Sequence, residues 1–446
     1  MSLLAAIAAP PELREATSDR GWLEALLETE QALATAEAMA GVLPPTAAGA
    51  IAEQCDASLY DVEELAREGR SGGNLVQPLV RALRERVGGD AATWVHWGAT
   101  SQDVMDTAAM LVARRGLGLV LDELERVGAA CAELAEKHRS TAMPARTLLQ
   151  HAVPTTFGLK AAGWLMGVHE ATQSVLRVRG ERLAVQLGGA AGTLASLGEA
   201  GPEVTTLLAA QLELPEPELP WQTNRVRIAE IGAALAIAAG AVAKIALDVA
   251  LLAQTEVGEA AEPDAGGSST MPQKRNPSAS TLALACARHA TADAAVLIGA
   301  LPQEHERAIG AWHAEWDALA SALVHAGGAA ACVADVVEGL DVVPERMASD
   351  LALTDGAIVS ERVSLALAER LGRAQAHELL GEASATGDLR GALAGTLPDD
   401  ELEDLLDPLE YLGSAELFVE RALAAYRDEE EPFEAAGEEE EEDEAE

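Results

Sequence analysis

Ile228-Ala229-Glu230-Ile231-Gly232-Ala233-Ala234-Leu235-Ala236-Ile237-Ala238-Ala239-Gly240-Ala241-Val242-Ala243 is the stretch on which the fold turns. The pattern continues on both sides, so that one helix is expected from Arg225 to Val257. A helix that is apolar around its whole circumference either crosses a membrane or lies inside a thick bundle. Glu230, Lys244 and Asp248 punctuate this one, and alanine is only weakly apolar. The bundle is therefore the reading taken, with neighbours drawn from other helices or from other copies of the chain.

Working outward, Asp103 to Lys137 and Val153 to Leu187 read as two further long helices. Asp19 to Gly41 reads as another, with Trp22, Leu23, Leu26, Leu27, Leu33 and Ala34 on one side and Ser18 or Asp19 as its cap. More helix is expected up to about Val87. Long helices without a heptad seam point to an all-α bundle. Composition agrees: 49% of the 446 residues are hydrophobic but only 3% are aromatic, which disfavours the pleated faces of strands. After about Ser349 turn signals crowd in, as at Thr386-Gly387-Asp388 and Leu397-Pro398-Asp399-Asp400. The chain thus divides into an N-terminal helical domain (1–103), a central bundle (104–349), a small C-terminal helical domain (350–427) and an acidic tail (428–446). The tail is expected to be disordered through self-repulsion.

Formal charge is −42, and 13 acidic residues with no Lys or Arg fall between Asp428 and Glu446, leaving about −29 on the body. Such a surface repels nucleic acid and anionic membranes, so a small-molecule partner is expected. Cys55, Cys131, Cys286 and Cys332 are far apart in sequence and make no CxxC pair, which gives no sign of a zinc site or a disulfide framework. Met1 to Pro10 lacks the basic start of a signal peptide, so a cytoplasmic location is expected.

Four stretches carry candidate chemistry. His96-Trp97-Gly98-Ala99-Thr100-Ser101-Gln102-Asp103 leads into a long helix with capping residues, where free backbone N–H groups form either an anion site or a plain cap. Arg146-Thr147-Leu148-Leu149-Gln150-His151-Ala152-Val153-Pro154 reads as an entry loop, with Pro154 near a helix start. Gly266-Gly267-Ser268-Ser269-Thr270-Met271-Pro272-Gln273-Lys274-Arg275-Asn276 combines glycine freedom, a stiff Met-Pro step, and a rare lysine and an amide suited to an oxyanion. In the fourth, Arg307 suits either a carboxylate clamp or a surface pair with Glu304 or Glu306.

The loop Gly267 to Asn276 resembles the signature of the fumarase/aspartase superfamily, and the likeness extends through the Thr100-Ser101 and Arg146-Thr147 regions to nearly the whole chain except the tail. Within it, the His96–Asp103, Gly188–Leu194, Gln254–Glu259 and Trp312–Trp316 stretches most resemble the bacterial 3-carboxy-cis,cis-muconate cycloisomerases. The resemblance implies a three-domain all-α fold, a homotetramer around a central bundle, active sites shared between chains, and no metal or organic cofactor. It carries the catalytic serine onto Ser268 and makes His96, near the leaving group, the second catalytic residue. Thr100, Ser101, Thr147, Gln150, Ser269, Met271, Lys274, Asn276 and Arg307 are then expected to bind a small tricarboxylate.

One departure sharpens the expectation. Lyases of the superfamily usually carry Thr-His at the second motif, and here Thr147 is followed by Leu148. An amine leaving group needs a positioned acid, worth about 10²–10⁴-fold. A carboxylic acid ordinarily ionises at about pH 4, so a carboxylate leaves unprotonated at neutral pH. Lactone-forming cycloisomerisation in aromatic catabolism is thus favoured over adenylosuccinate-type amine elimination, and a non-catalytic scaffold is the reading of another class. For the amine elimination the acid would have to come from His96 or His151, and His151 is equally suited to a structural hydrogen bond. Val226, Gln273 and Thr281 also depart from common family residues and bear on specificity.

Overall fold

Six long helices organise the described residues, and the first three begin at side-chain caps. In the computed structural model, which describes residues 7–263, 266–267, 270–386 and 389–427, α1 is Asp19–Met39 and Ser18 caps it by accepting the Gly21 N–H at 3.1 Å. The others are α2 (Ser101–Lys137), α3 (Phe157–Glu181), α4 (Val226–Leu252), α5 (Ser278–Gly299) and α6 (Ala311–Glu338). At 37 residues α2 is about 55 Å long. The expected acidic tail, 428–446, lies outside the described residues.

The all-α expectation holds. Strand among the described residues amounts to three short antiparallel pairings: β1 (Ala142–Thr147) with β2 (Gln150–Thr156), β3 (Ala260–Ala261) with β6 (Asp341–Val342), and β4 (Gly266–Gly267) with β5 (Arg275–Asn276). The first of these corrects the helix expected from Val153. Pro154 lies in β2 opposite Pro144, where neither residue has an N–H to donate, and a bulge follows between Pro144 and Arg146. The helix starts only at Phe157, where the Thr156 hydroxyl accepts the Leu159 N–H at 3.0 Å. At the other end α3 stops at Glu181 instead of Leu187, because Val185 and Gln186 leave the helix to hydrogen-bond Pro215 and Thr107. The Arg225–Val257 helix likewise ends at Leu252, whose carbonyl accepts the Glu259 N–H as the chain turns back.

The chain divides into two units. The first comprises Met1–Val127, Glu170–Leu247 and Ser278–Val336; the second comprises Gly128–His169, Asp248–Pro277 and the chain from Val337 onward. In the second unit, short helices such as Ser360–Leu371 and Asp399–Leu406 bury a cluster that includes Ile358, Val363, Leu367, Leu393 and Leu402. These are the shortened C-terminal helices the turn signals announce.

By length and composition alone, α4, α5 and α6 are each capable of crossing a membrane. Several of their acidic residues are paired, however: Glu230 with Arg182 at 2.6 Å, Asp248 with the Trp164 indole at 2.7 Å, and Asp293 with His325 at 2.7 Å. Mid-helix charges cost about 2.5–3.5 kcal/mol in lipid, and here protein partners offset them. Ile237 and Leu247 on α4 and Val296 and Ile298 on α5 are nevertheless exposed in the single chain.

Candidate active site

The first unit gathers four of the expected residues around the N-terminus of α2. Thr100 precedes the helix, and Asp103, one turn in, accepts the Thr100 backbone N–H at 3.1 Å, which is half of a capping box. The approach runs through left-handed backbone at His96 (φ 60°) and Gly98 (φ 69°). At Gly98 a Cβ would lie 2.5 Å from Leu197, so glycine is required both by conformation and by space. His96 Nδ1 stands 2.6 Å from a carboxylate oxygen of the buried Glu30. Ser101 opens the helix.

Arg307 comes to the same place without pairing with Glu304 or Glu306. Its guanidinium donates to Gln102 Oε1 at 2.8 Å and to the Gly189 carbonyl, and passes 3.8 Å from Asp103. Asp103 also accepts the Gly189 N–H at 2.9 Å, so the Gly188–Leu194 loop is tied to α2 and Arg307 together. Burial pushes the Asp103 carboxyl up to about 6, opposed by Arg307 and by the backbone donors of Thr100, Gly189 and Gly188. Beneath this layer Arg225, only 1% exposed, donates to Asp106 at 2.7 Å and 3.0 Å and to Glu315, while the Trp312 indole also donates to Asp106 at 2.9 Å. Burial works to lower the Arg225 pKa, but the two carboxylates outweigh it and raise it.

The second unit presents two hairpins. Thr147 and Gln150 are cross-strand partners that close the β1–β2 tip, and Leu148 and Leu149 form its two-residue turn. Both turn residues have positive φ (52° and 65°) and are 97% and 70% exposed. Asn-Gly is the sequence that such a turn favours, so two leucines there are both strained and apolar. At its base Arg146 grips the buried Glu259 with two bonds, of 2.7 Å and 2.9 Å, and passes 3.7 Å from Asp350. Burial raises the Glu259 pKa; Arg146 pulls against this and Asp350 adds to it. Arg146, Gln150, His151, Asp350 and Thr354 line a cavity of about 400 Å³. Burial, then the Arg146 charge, lowers the pKa of His151, which makes this ring a poor reserve of protons at neutral pH.

The second hairpin is the base of the candidate loop. Gly266 pairs with Asn276 and Gly267 with Arg275, and the exposed Lys274 is held by its backbone N–H to the Met271 carbonyl at 3.0 Å. Met271 is exposed beside it. Ser268 and Ser269 lie outside the described residues. The structure thus joins His96, Thr100, Ser101 and Arg307 in one unit, and sets Thr147 and Gln150 on one hairpin and Met271, Lys274 and Asn276 on another in the second. Glu30 was not singled out from the sequence, and Asp103 was read there only as a capping residue. The sequence does carry signals for both: Thr100-x-x-Asp103 has the spacing of a cap, and Glu30 falls in line with Leu23, Leu26, Leu27 and Leu33 on the buried stripe of α1.

Residues 7–290 match a family model described as lyase, and residues 356–422 match one described as adenylosuccinate lyase C-terminus. The chain is 46% identical, over 94% of its length and 97% of the relative's, to a 3-carboxy-cis,cis-muconate cycloisomerase of Bradyrhizobium diazoefficiens. It is also 46% identical, over 94% of both chains, to a nitrosuccinate lyase of Streptomyces davaonensis. The crystal structure of the 3-carboxy-cis,cis-muconate lactonizing enzyme from Pseudomonas putida superposes with a TM-score of 0.91 at 40% identity, covering 96% of this chain and 99% of that one. The chain belongs to the fumarase/aspartase superfamily. In this chain Lys274 and Asn276 stand at the base of the candidate loop, and Leu148 follows Thr147 at the β1–β2 tip.

Proposed function

We propose that this enzyme forms a lactone from 3-carboxy-cis,cis-muconate, in the protocatechuate branch of aromatic catabolism, and acts in the cytoplasm. The observation that carries the reading is Leu148 beside Thr147: the tip offers no acid, and His151 behind it is held towards its neutral form. These two positions favour a chemistry whose leaving or attacking group is already an anion. In the forward direction one carboxylate attacks the conjugated double bond, and a proton is delivered to the carbon α to another carboxylate. Ser268 supplies that proton. The intermediate is an aci-carboxylate, and Lys274 and Asn276 stabilise its added charge. His96, Thr100, Ser101, Thr147, Gln150, Ser269, Met271 and Arg307 hold the remaining carboxylates and orient the chain of the substrate. Proton movement and C–O bond formation account for the whole reaction, so no metal or organic cofactor is invoked.

The working form is a homotetramer with sites shared between copies. The strained, exposed Leu148–Leu149 tip and the exposed apolar residues of α4 and α5 support this, since each is costly on an isolated chain. The test is loss of the diene's ultraviolet absorbance on adding the enzyme, with Ser268→Ala retaining the assembly and losing turnover. Unchanged absorbance with wild-type protein refutes the reading.

One competing reaction has an observation in its favour. Nitrite, like a carboxylate, leaves as an anion and needs no acid at position 148, and the Streptomyces davaonensis relative is as similar as the cycloisomerase of Bradyrhizobium diazoefficiens. A nitrite-release assay with nitrosuccinate separates the two.

A further inference from the structure

The buried face of α1 carries two carboxyl groups, Glu30 at 1% exposure and Glu37 at 0%, two helical turns apart. Glu37 finds no hydrogen-bond partner among the described residues, and burial, with the Glu30 charge added, pushes it up to about 9. The Cys55 thiol is pushed up to about 12 by burial and then by Glu30, and the Tyr60 phenol also to about 12, first by burial. The titratable neighbours of Glu30 on these elements are therefore neutral at pH 7, and its counter-charge is His96. An isolated buried carboxylate is expensive, which is why one partner cannot be removed without consequence for the other.

The ring is held from several directions. Glu30 lies 2.6 Å from Nδ1; Arg84, on the neighbouring helix Val76–Val87, donates to the Val95 carbonyl at 3.0 Å and fixes the preceding residue; Asp103 faces the ring from the first turn of α2. Burial and Arg84 act against a charged ring. The charge and hydrogen bond of Glu30, assisted by Asp103, prevail and raise its pKa above the ordinary histidine value. The His96 side chain remains 13% exposed, and Nε2 has no partner among the described residues.

We propose that Glu30 is a positioning residue for His96, gripping Nδ1 from the buried side so that the ring offers its Nε2–H to a carboxylate of the substrate beside the first turn of α2. His96 in this role is a fixed anion-binding donor and not a proton shuttle: a ring locked to a buried carboxylate gives up its proton reluctantly. The role in catalysis rests on the proposed function, in which His96 is a site residue; the grip itself does not.

Two measurements test it. Histidine labelled with 13C at Cε1, with His96→Asn used to assign the signal, reports ring titration in the intact protein without any substrate. The wild-type ring is expected to titrate above the ordinary histidine value of about 6.5, and Glu30→Gln to lower that midpoint by about one pH unit or more. Glu37→Gln, a change on the same buried face of a group already neutral, leaves the midpoint in place. In turnover, Glu30→Gln is expected to raise KM about 10-fold, change kcat less than about 3-fold, and shift the alkaline limb of kcat/KM to lower pH. A wild-type ring that titrates at or below the ordinary value, or a midpoint unmoved in Glu30→Gln, overturns the proposal. So does a fall in kcat with the pH profile unchanged. A shifted ring in an enzyme inert towards the muconate leaves the grip standing and overturns the function instead.

Discussion

Two arginines, one in each unit, hold a pair of carboxylates, and they do so for different ends. Arg225 is sealed between Asp106 and Glu315 with all three of its guanidinium nitrogens bonded and stacks on Trp221. Arg146 spends its fork on Glu259, but its side chain keeps 20% exposure, looks past Asp350, and lines a cavity. The closed network joins α2, the start of α4 and the first turns of α6, and so fixes the platform under His96, Thr100 and Arg307. The open one braces a hairpin whose tip bears Thr147 and Gln150. A buried ion pair gains little net stability over a well-packed apolar substitute but is very costly to break halfway. The first is therefore a keystone of the unit, whereas the second is a support whose loss is felt mainly at the site it carries.

Arg225→Met leaves two buried carboxylates without a cation and is expected to destabilise the protein by about 3–5 kcal/mol in chemical denaturation. Adding Asp106→Asn and Glu315→Gln should recover much of that, and equal stability of the single and triple variants would show that the network is no keystone. Arg146→Lys keeps the charge but loses the two-pronged grip on Glu259, for an expected cost of about 1–2 kcal/mol with a larger proportional loss of turnover. If its stability loss matches that of the Arg225 variant, the distinction between the two networks fails.

The smallest effect concerns pH. Because burial raises Glu259 above its unfolded pKa, the unfolded chain releases this proton first; this contribution to stability is greatest below the ordinary carboxylate range and declines as pH rises towards the folded pKa. Asp350→Asn removes the carboxylate that opposes ionisation, and the decline should flatten by less than about 1 kcal/mol. Denaturation midpoints between pH 4 and 7 measure it, and an unchanged slope would mean that the two acids do not interact.

Much of this was legible in the residues. The apolar run Ile228–Ala243 marked a long helix, though not one buried on all sides within a single chain, and the capping residues before Asp103 placed the start of α2 within two residues. The β1–β2 hairpin was not legible, because its turn is Leu148-Leu149 where Asn or Gly would have announced it, and Pro154 imitated a helix start. The candidate loop residues stood out by type. The roles of Glu30 and Arg225 did not, since they depend on partners 66 and 90 residues away along the chain. Local pattern reports periodicity and caps; it does not report which buried acid finds which base.

The leucine tip has one more consequence, for the proposed assembly of copies in solution. Each copy carries a formal charge of −42, so two of them approaching tip-first must overcome long-range repulsion before any apolar contact forms. Dissolved salt shortens the reach of that repulsion to about 8 Å at physiological ionic strength while leaving the burial of leucine nearly untouched. The proposed association is therefore expected to tighten as salt is added and to loosen in dilute buffer.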